Sequence, residues 1–135
     1  MRKITIMLIV LMVIVIGFLS GCSTNSEENK LKITYMEKSV QETAEAILFN
    51  ITLKIQNIGS NDITGAELTV TLYKINSMED SQIKQLGNIE KGWEQTTNIS
   101  LVDNDINVYG DYRAVATITL GSKVLDTKTL SWGDD

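Results

Sequence analysis

The sequence predicts an all-β protein, a seven-stranded antiparallel sandwich that follows an N-terminal apolar helix. Three observations carry that reading. From Leu31 onward, apolar residues recur at every second position, the pattern of strands with one buried face. Clusters of Gly, Asn, Asp and Ser interrupt these runs at short intervals. Beyond the leader, no window of about 11 residues sustains a helical period. Residues 39–46 alone have helical propensity, and they are too few for a stable helix.

The strands are expected in the following order. Leu31, Ile33 and Tyr35 alternate with Lys32, Thr34 and Met36. In 47–56, Ile47, Phe49, Ile51, Leu53 and Ile55 occupy one face, while Leu48 is the only apolar residue on the other. Asn57-Ile58-Gly59-Ser60-Asn61 is a turn by composition. Ala66, Leu68, Val70 and Leu72 then alternate with Glu67, Thr69, Thr71 and Tyr73. A short strand at 82–86 ends at Gly87, and a strand over 94–102 carries Ile99 and Leu101 in phase. Tyr112, Ala114, Ala116, Ile118 and Leu120 share one side of 112–120. Gly121-Ser122 is a hairpin signal, and 123–131 is the return strand.

Seven short strands with frequent turns argue a two-sheet sandwich of immunoglobulin type. Gly110-Asp111-Tyr112-Arg113-Ala114 looks like the start of strand F of such domains. Tyr112 stands at the tyrosine-corner position, with its hydroxyl expected on backbone a few residues upstream. Ala114 stands where antibody domains carry a cysteine, so that inter-sheet disulfide is ruled out. The order of Ile51–Gly59, Ala66–Tyr73, Ile89-Glu90-Lys91-Gly92 and Gly110-Asp111-Tyr112 resembles the CARDB and FxLYD groups of immunoglobulin-like domains in prokaryotic envelope proteins. Those groups often have Pro before the middle Gly; here it is Lys91. The resemblance covers roughly 46–120 and implies a binding or spacer module without catalytic residues.

Composition divides the chain at residue 21. Fifteen of the first 21 residues are hydrophobic, so the mean hydropathy of +0.01 averages two unlike parts. Arg2 and Lys3 start the leader, an apolar run broken only by Thr5 and Gly17 follows, and Ser20 and Gly21 end it. This is the build of a secretory signal peptide. As a helix the run spans about 24 Å, short of the roughly 20 residues of a membrane span; the alternative is an uncleaved N-terminal anchor. Leu19-Ser20-Gly21-Cys22 matches the lipobox of bacterial and archaeal lipoproteins. That resemblance implies that Leu19, Ser20 and Gly21 are read by the processing enzyme, and that Cys22 is lipidated and becomes the N-terminus. Two acyl chains suffice for stable anchoring. Ser23, in place of Asp, resembles the outer-membrane-sorted class where a host has two membranes. Residues 22–30 read as a flexible tether; its polar part, 23–30, reaches at most about 27 Å. Residues 31–135 form the single domain.

The domain offers little for catalysis. The chain has no His and no Pro, and its one Cys is Cys22, which excludes His-based catalysis, a disulfide framework and a Cys/His zinc site. No enzyme activity, cofactor or metal is expected: Asp103-Asn104-Asp105 lacks the Gly and Glu spacing of a calcium loop and reads as turn chemistry. From Cys22 onward the chain carries 10 basic against 17 acidic residues, a formal charge of −7, which argues against nucleic acid. Asn50-Ile51-Thr52 and Asn98-Ile99-Ser100 make Asn50 and Asn98 candidate glycosylation acceptors on outward strand faces. Trp93, Trp132, Tyr73 and Tyr109 are expected to fill core ends or cover strand edges, with sugar stacking or protein contact the alternative. Lys32, Lys38, Lys123 and Lys128 are read as edge protection.

The expected function is therefore a lipid-anchored cell-envelope lipoprotein on the extracytoplasmic face of the cell membrane, held by Cys22. Its immunoglobulin-like domain would be a non-catalytic binding, spacer or adhesion module for an envelope protein or polysaccharide. Alternatives are an accessory subunit of an envelope transporter or secretion complex, and a ligand-capturing domain using a connection at 74–89 or 102–110.

Overall fold

The structure, a computed structural model, describes residues 29–133. The leader over 1–21, with its expected signal helix and processing residues, lies outside the described residues, as do Cys22 and the first part of the tether. Nine strands follow: β1 (Leu31–Glu42), β2 (Ile47–Asn57), β3 (Ile63–Thr64), β4 (Glu67–Lys74), β5 (Ser77–Gln85), β6 (Asn88–Ile89), β7 (Glu94–Asp103), β8 (Tyr112–Leu120) and β9 (Lys123–Trp132). The expected seven all have counterparts. The added pair, β3 and β6, joins only Ile63 to Ile89 and Thr64 to Asn88, too short to leave an alternation in the sequence.

Two antiparallel sheets face each other, β1-β2-β7 and β5-β4-β8-β9. Their inner faces carry the alternating sets read from the sequence. Phe49, Ile51, Leu53 and Ile55 of β2 meet Leu68, Val70 and Leu72 of β4 and Ala114, Ala116 and Ile118 of β8 in one buried core. Each fully buried Leu or Ile contributes about 1.5–3 kcal/mol of transfer free energy, which makes β2, β4 and β8 the central strands.

One strand runs further than its alternation implies, and one local expectation is corrected. Residues 39–42 are the end of β1, paired with β2 from Ser39 opposite Asn50 to Glu42 opposite Ile47. Pairing overrides their weak helical propensity. The segment 74–89 is no long connection, because β5 fills 77–85 and turns from β4 through Ile75 and Asn76 alone. This edge strand buries no side chain fully, so it shows no apolar alternation.

The open sides of the sandwich are closed by side chains. Glu79 in β5 and Leu125 in β9 are bulge residues, since Leu72 pairs Asp80 while Tyr73 pairs Met78, and Ile118 pairs Asp126 while Thr119 pairs Val124. The residue after each bulge is an Asp aimed across the gap. Asp126 Oδ2 accepts from the Ile33 amide of β1 at 2.8 Å, and Asp80 Oδ2 accepts from the Val102 amide of β7 at 3.0 Å. Bulges re-aim side chains in this way.

The strand directions give the sandwich two distinct ends. The near end, where Leu31 begins β1, carries the segments 58–66, 86–93 and 121–122. The far end carries 43–46, 75–76, 104–111 and the close of β9. The 11 residues of β2 separate them by about 36 Å.

Candidate functional site

The far end is built on three inward positions that continue the apolar alternation with polar groups. Lys74 is one step beyond Leu72 in β4, Asp103 one step beyond Leu101 in β7, and Tyr112 opens the inward set of β8. All three are buried. Lys74 Nζ lies 2.5 Å from Asp103 Oδ2 and also donates to the carbonyls of Asp105 and Val108, the latter at 2.8 Å. Its three protons therefore have three acceptors. The Tyr112 hydroxyl donates to Asp103 Oδ2 at 2.7 Å, and the Asp105 amide donates to Asp103 Oδ1 at 2.9 Å.

Burial by itself would push the Asp103 carboxyl up. Hydrogen bonds from Lys74, Tyr112 and the Asp105 amide, together with the Lys74 charge, outweigh that and hold it below its ordinary value. Glu79 is shifted the other way: partial burial and the negative Asp103 and Asp105 push it up against the opposing Lys74 cation. The buried pair is a pin for the 104–111 loop, because Lys74 grips that loop by two carbonyls.

Beneath the pin lies an aromatic layer. Phe49 and Tyr112 have ring centroids 4.8 Å apart, Phe49 and Trp132 5.3 Å, and Tyr112 and Trp132 5.7 Å. Lys38 Nζ stands 5.3 Å from the Trp132 ring. Above the pin, apolar side chains are left in solvent: Tyr109 is 80% exposed, Ile75 57% and Val108 45%. A cleft of about 280 Å³ between Ile47, Ile106, Val108, Tyr109 and Tyr112 opens beside them. Ile75 is held at φ 58°, a conformation β-branched residues avoid. Its amide donates to the Asp111 carbonyl at 2.8 Å, and its side chain lies against Gly110, where a Cβ would come within 2.5 Å of Ile75 Cγ1. The far end is thus a firmly held polar and aromatic base that presents an apolar tip.

The structure places the residues read from the sequence as follows. Cys22, Leu19, Ser20 and Gly21 lie outside the described residues. Tyr112 is buried at the start of β8, and its hydroxyl donates to the Asp103 side chain, since strand parity brings that carboxylate inward and Lys74 holds it. Asp103 and Asp105 form the expected Asx turn. Asn50 and Asn98 are both exposed, and the register sets the two sequons antiparallel, Asn50 opposite Ser100 and Thr52 opposite Asn98. Thr52 Oγ1 is 2.7 Å from Asn98 Oδ1. Trp132 fills a core end as expected, and Tyr73 carries the Arg113 guanidinium 4.7 Å from its ring. Tyr109 and Trp93 do not fill such positions. Trp93 is 64% exposed at the near end, where its carbonyl accepts from the Asn57 amide and its amide donates to the Glu90 carbonyl.

Strand parity was the signal that could have found Lys74, Asp103 and Asn57, each one step past an apolar run on the inward face. Asn57 is the near-end counterpart of the pin. Its Nδ2 donates to the carbonyls of Asn61 and Ile89 at 2.8 and 2.9 Å, and its Oδ1 accepts from the Gly59 amide.

No protein-family model matches the chain, and no curated protein does. Solved structures do. A putative β-galactosidase from Bacteroides fragilis superposes with a TM-score of 0.65 at 14% identity, over 78% of this chain and 17% of that one. A β-glucuronidase from Bacteroides uniformis gives 0.62 at 15%, over 78% and 13%. A protein from Archaeoglobus fulgidus gives 0.51 at 12%, over 75% of this chain and 93% of that one. The chain thus spans less than a fifth of either glycosidase, matching one β-sandwich portion of each. At these identities the likeness shows the fold alone, an immunoglobulin-like antiparallel β-sandwich.

Proposed function

We propose that this chain is a lipid-anchored envelope lipoprotein whose immunoglobulin-like sandwich is a non-catalytic binding module, with the far end as its contact surface. The observation that carries the reading is the opposition of the two ends. The chain arrives from Cys22 at the near end, while Tyr109, Val108 and Ile75 are exposed about 36 Å away on a loop pinned by Lys74. An anchored domain of this build holds its apolar tip away from the membrane. Rigid aromatic and aliphatic side chains on an ordered base are what a protein contact uses, since little entropy is lost when they are covered. The leader supports the anchor, through its charged start, apolar middle and Leu19-Ser20-Gly21-Cys22 end.

Two measurements test it. Mass spectrometry of membrane fractions from the native host should find wild type beginning at Cys22 with added lipid mass, and Cys22→Ser without it. Retention of residues 1–21 with no lipid mass would refute the anchor. For the binding surface, a photo-crosslinking side chain at position 109 in the host should capture an envelope partner, whereas the same group at Thr96, on the outer face of β7, should not. Equal capture at both positions would rule out the far end as the contact.

A further inference from the structure

The near end carries an apolar surface of its own. Ile58 is 52% exposed and Trp93 64% exposed, and the backbone joins them into one platform. The Ile58 amide donates to the Lys30 carbonyl at 3.0 Å, the Asn57 amide to the Trp93 carbonyl at 2.9 Å, and the Gly92 amide to the Asn57 carbonyl at 3.0 Å. Asn57 is buried with its side chain bonded on both sides, so the two apolar groups are offered on a fixed base. Lys30 is the residue through which the chain from Cys22 reaches the sandwich.

We infer that Ile58 and Trp93 rest on the bilayer that holds the Cys22 lipid, with the indole at the headgroup–acyl boundary; this rests on the lipoprotein reading above. The eight residues from Ser23 to Lys30 reach at most about 27 Å, so the near end cannot leave the neighbourhood of the membrane. Such a short link raises the local concentration of the bilayer to roughly the millimolar range or above, where even a weak apolar contact is populated. Trp suits this boundary because it combines a large apolar body with one N–H donor. The surrounding charges are mixed, Lys30 and Lys91 against Asp62, Glu90 and Glu94, so the contact is apolar and does not select anionic lipid.

The two tryptophans make the test, since Trp93 lies at the near end and Trp132 at the far end. The full chain is purified from host membranes, its lipid mass verified, and reconstituted into phosphatidylcholine vesicles with or without brominated acyl chains. Brominated lipid should reduce tryptophan emission in wild type. The loss should vanish in Trp93→Phe, where the remaining Trp132 emission reports that the fold is intact. Ile58→Ser should weaken the quenching. Lipid mass present with unquenched emission overturns this contact while leaving the anchor standing, as does quenching that persists in Trp93→Phe. Absence of the lipid mass overturns the contact and the anchor together.

Discussion

Asp80 and Asp126 occupy equivalent places on the two open sides of the sandwich. Each directly follows a one-residue bulge in an edge strand of the four-stranded sheet. Each accepts at Oδ1 from the next amide in its own strand, Ser81 or Thr127, and at Oδ2 from an edge amide of the opposite sheet, Val102 or Ile33. Unpaired edge amides are templates for pairing with another chain, and a carboxylate facing one blocks that approach.

Replacing either aspartate with Ala should therefore cost about 1.5–3 kcal/mol, as for a hydrogen bond to a charged group. Hydrogen exchange should localise the effect. The Val102 amide loses protection in Asp80→Ala and the Ile33 amide in Asp126→Ala, with the other edge unchanged. Loss at both edges in either variant would show that the caps act on global stability and not on their own side.

The Lys74–Asp103 pair should be costly to break from one side only. Lys74→Met or Asp103→Asn leaves a buried group uncompensated and should destabilise by about 3–5 kcal/mol in chemical denaturation. The double variant should lose less than the sum of the two, because neither charge is stranded.

The same pair sets a pH dependence. The folded Asp103 carboxyl lies below its ordinary 3.8, so the unfolded chain binds its proton more readily. Its contribution is full above 3.8 and is lost as pH falls through the folded value. Glu79, raised above 4.5, has the opposite sign: its contribution is full below 4.5 and lost as pH rises through the folded value. Melting temperature against pH should thus fall on the acid side in wild type, and the Asp103→Asn slope there should be shallower.

The turn at Ile75 should be improvable. Relief of its φ of 58° by Ile75→Asn is expected to raise stability by about 1 kcal/mol, since Asn tolerates that region far better. Gly110→Ala should destabilise wild type, where the new Cβ meets Ile75, and be milder in combination with Ile75→Gly. Thermal melts of the four proteins give the coupling.

Thr97 is a second such site. It is buried opposite Leu53, and its hydroxyl finds no hydrogen-bond partner. Thr97→Val keeps the shape and removes the unpaired group, so it should stabilise by about 1–2 kcal/mol. A loss on denaturation would mean that the hydroxyl is satisfied in solution.

The sequence by itself determined which residues of the central strands point inward. Phe49, Ile51, Leu53 and Ile55, Leu68, Val70 and Leu72, and Ala114, Ala116 and Ile118 are all where period two puts them, because a one-residue slip would reverse every face. The hairpin at Gly121-Ser122 was equally legible, since its positive φ needs Gly. Edge strand β5 was read only in part, because a strand exposed on both faces has no apolar rhythm and is made by its partner. The pin, the edge caps and the exposed Tyr109 and Trp93 belong to the tertiary structure alone. Parity could mark Lys74 and Asp103 as inward, but only the packing of two sheets brings residues 29 positions apart within 2.5 Å. Likewise a bulge is one extra residue, invisible until pairing counts it, and it is what turns Asp80 and Asp126 toward the opposite sheet.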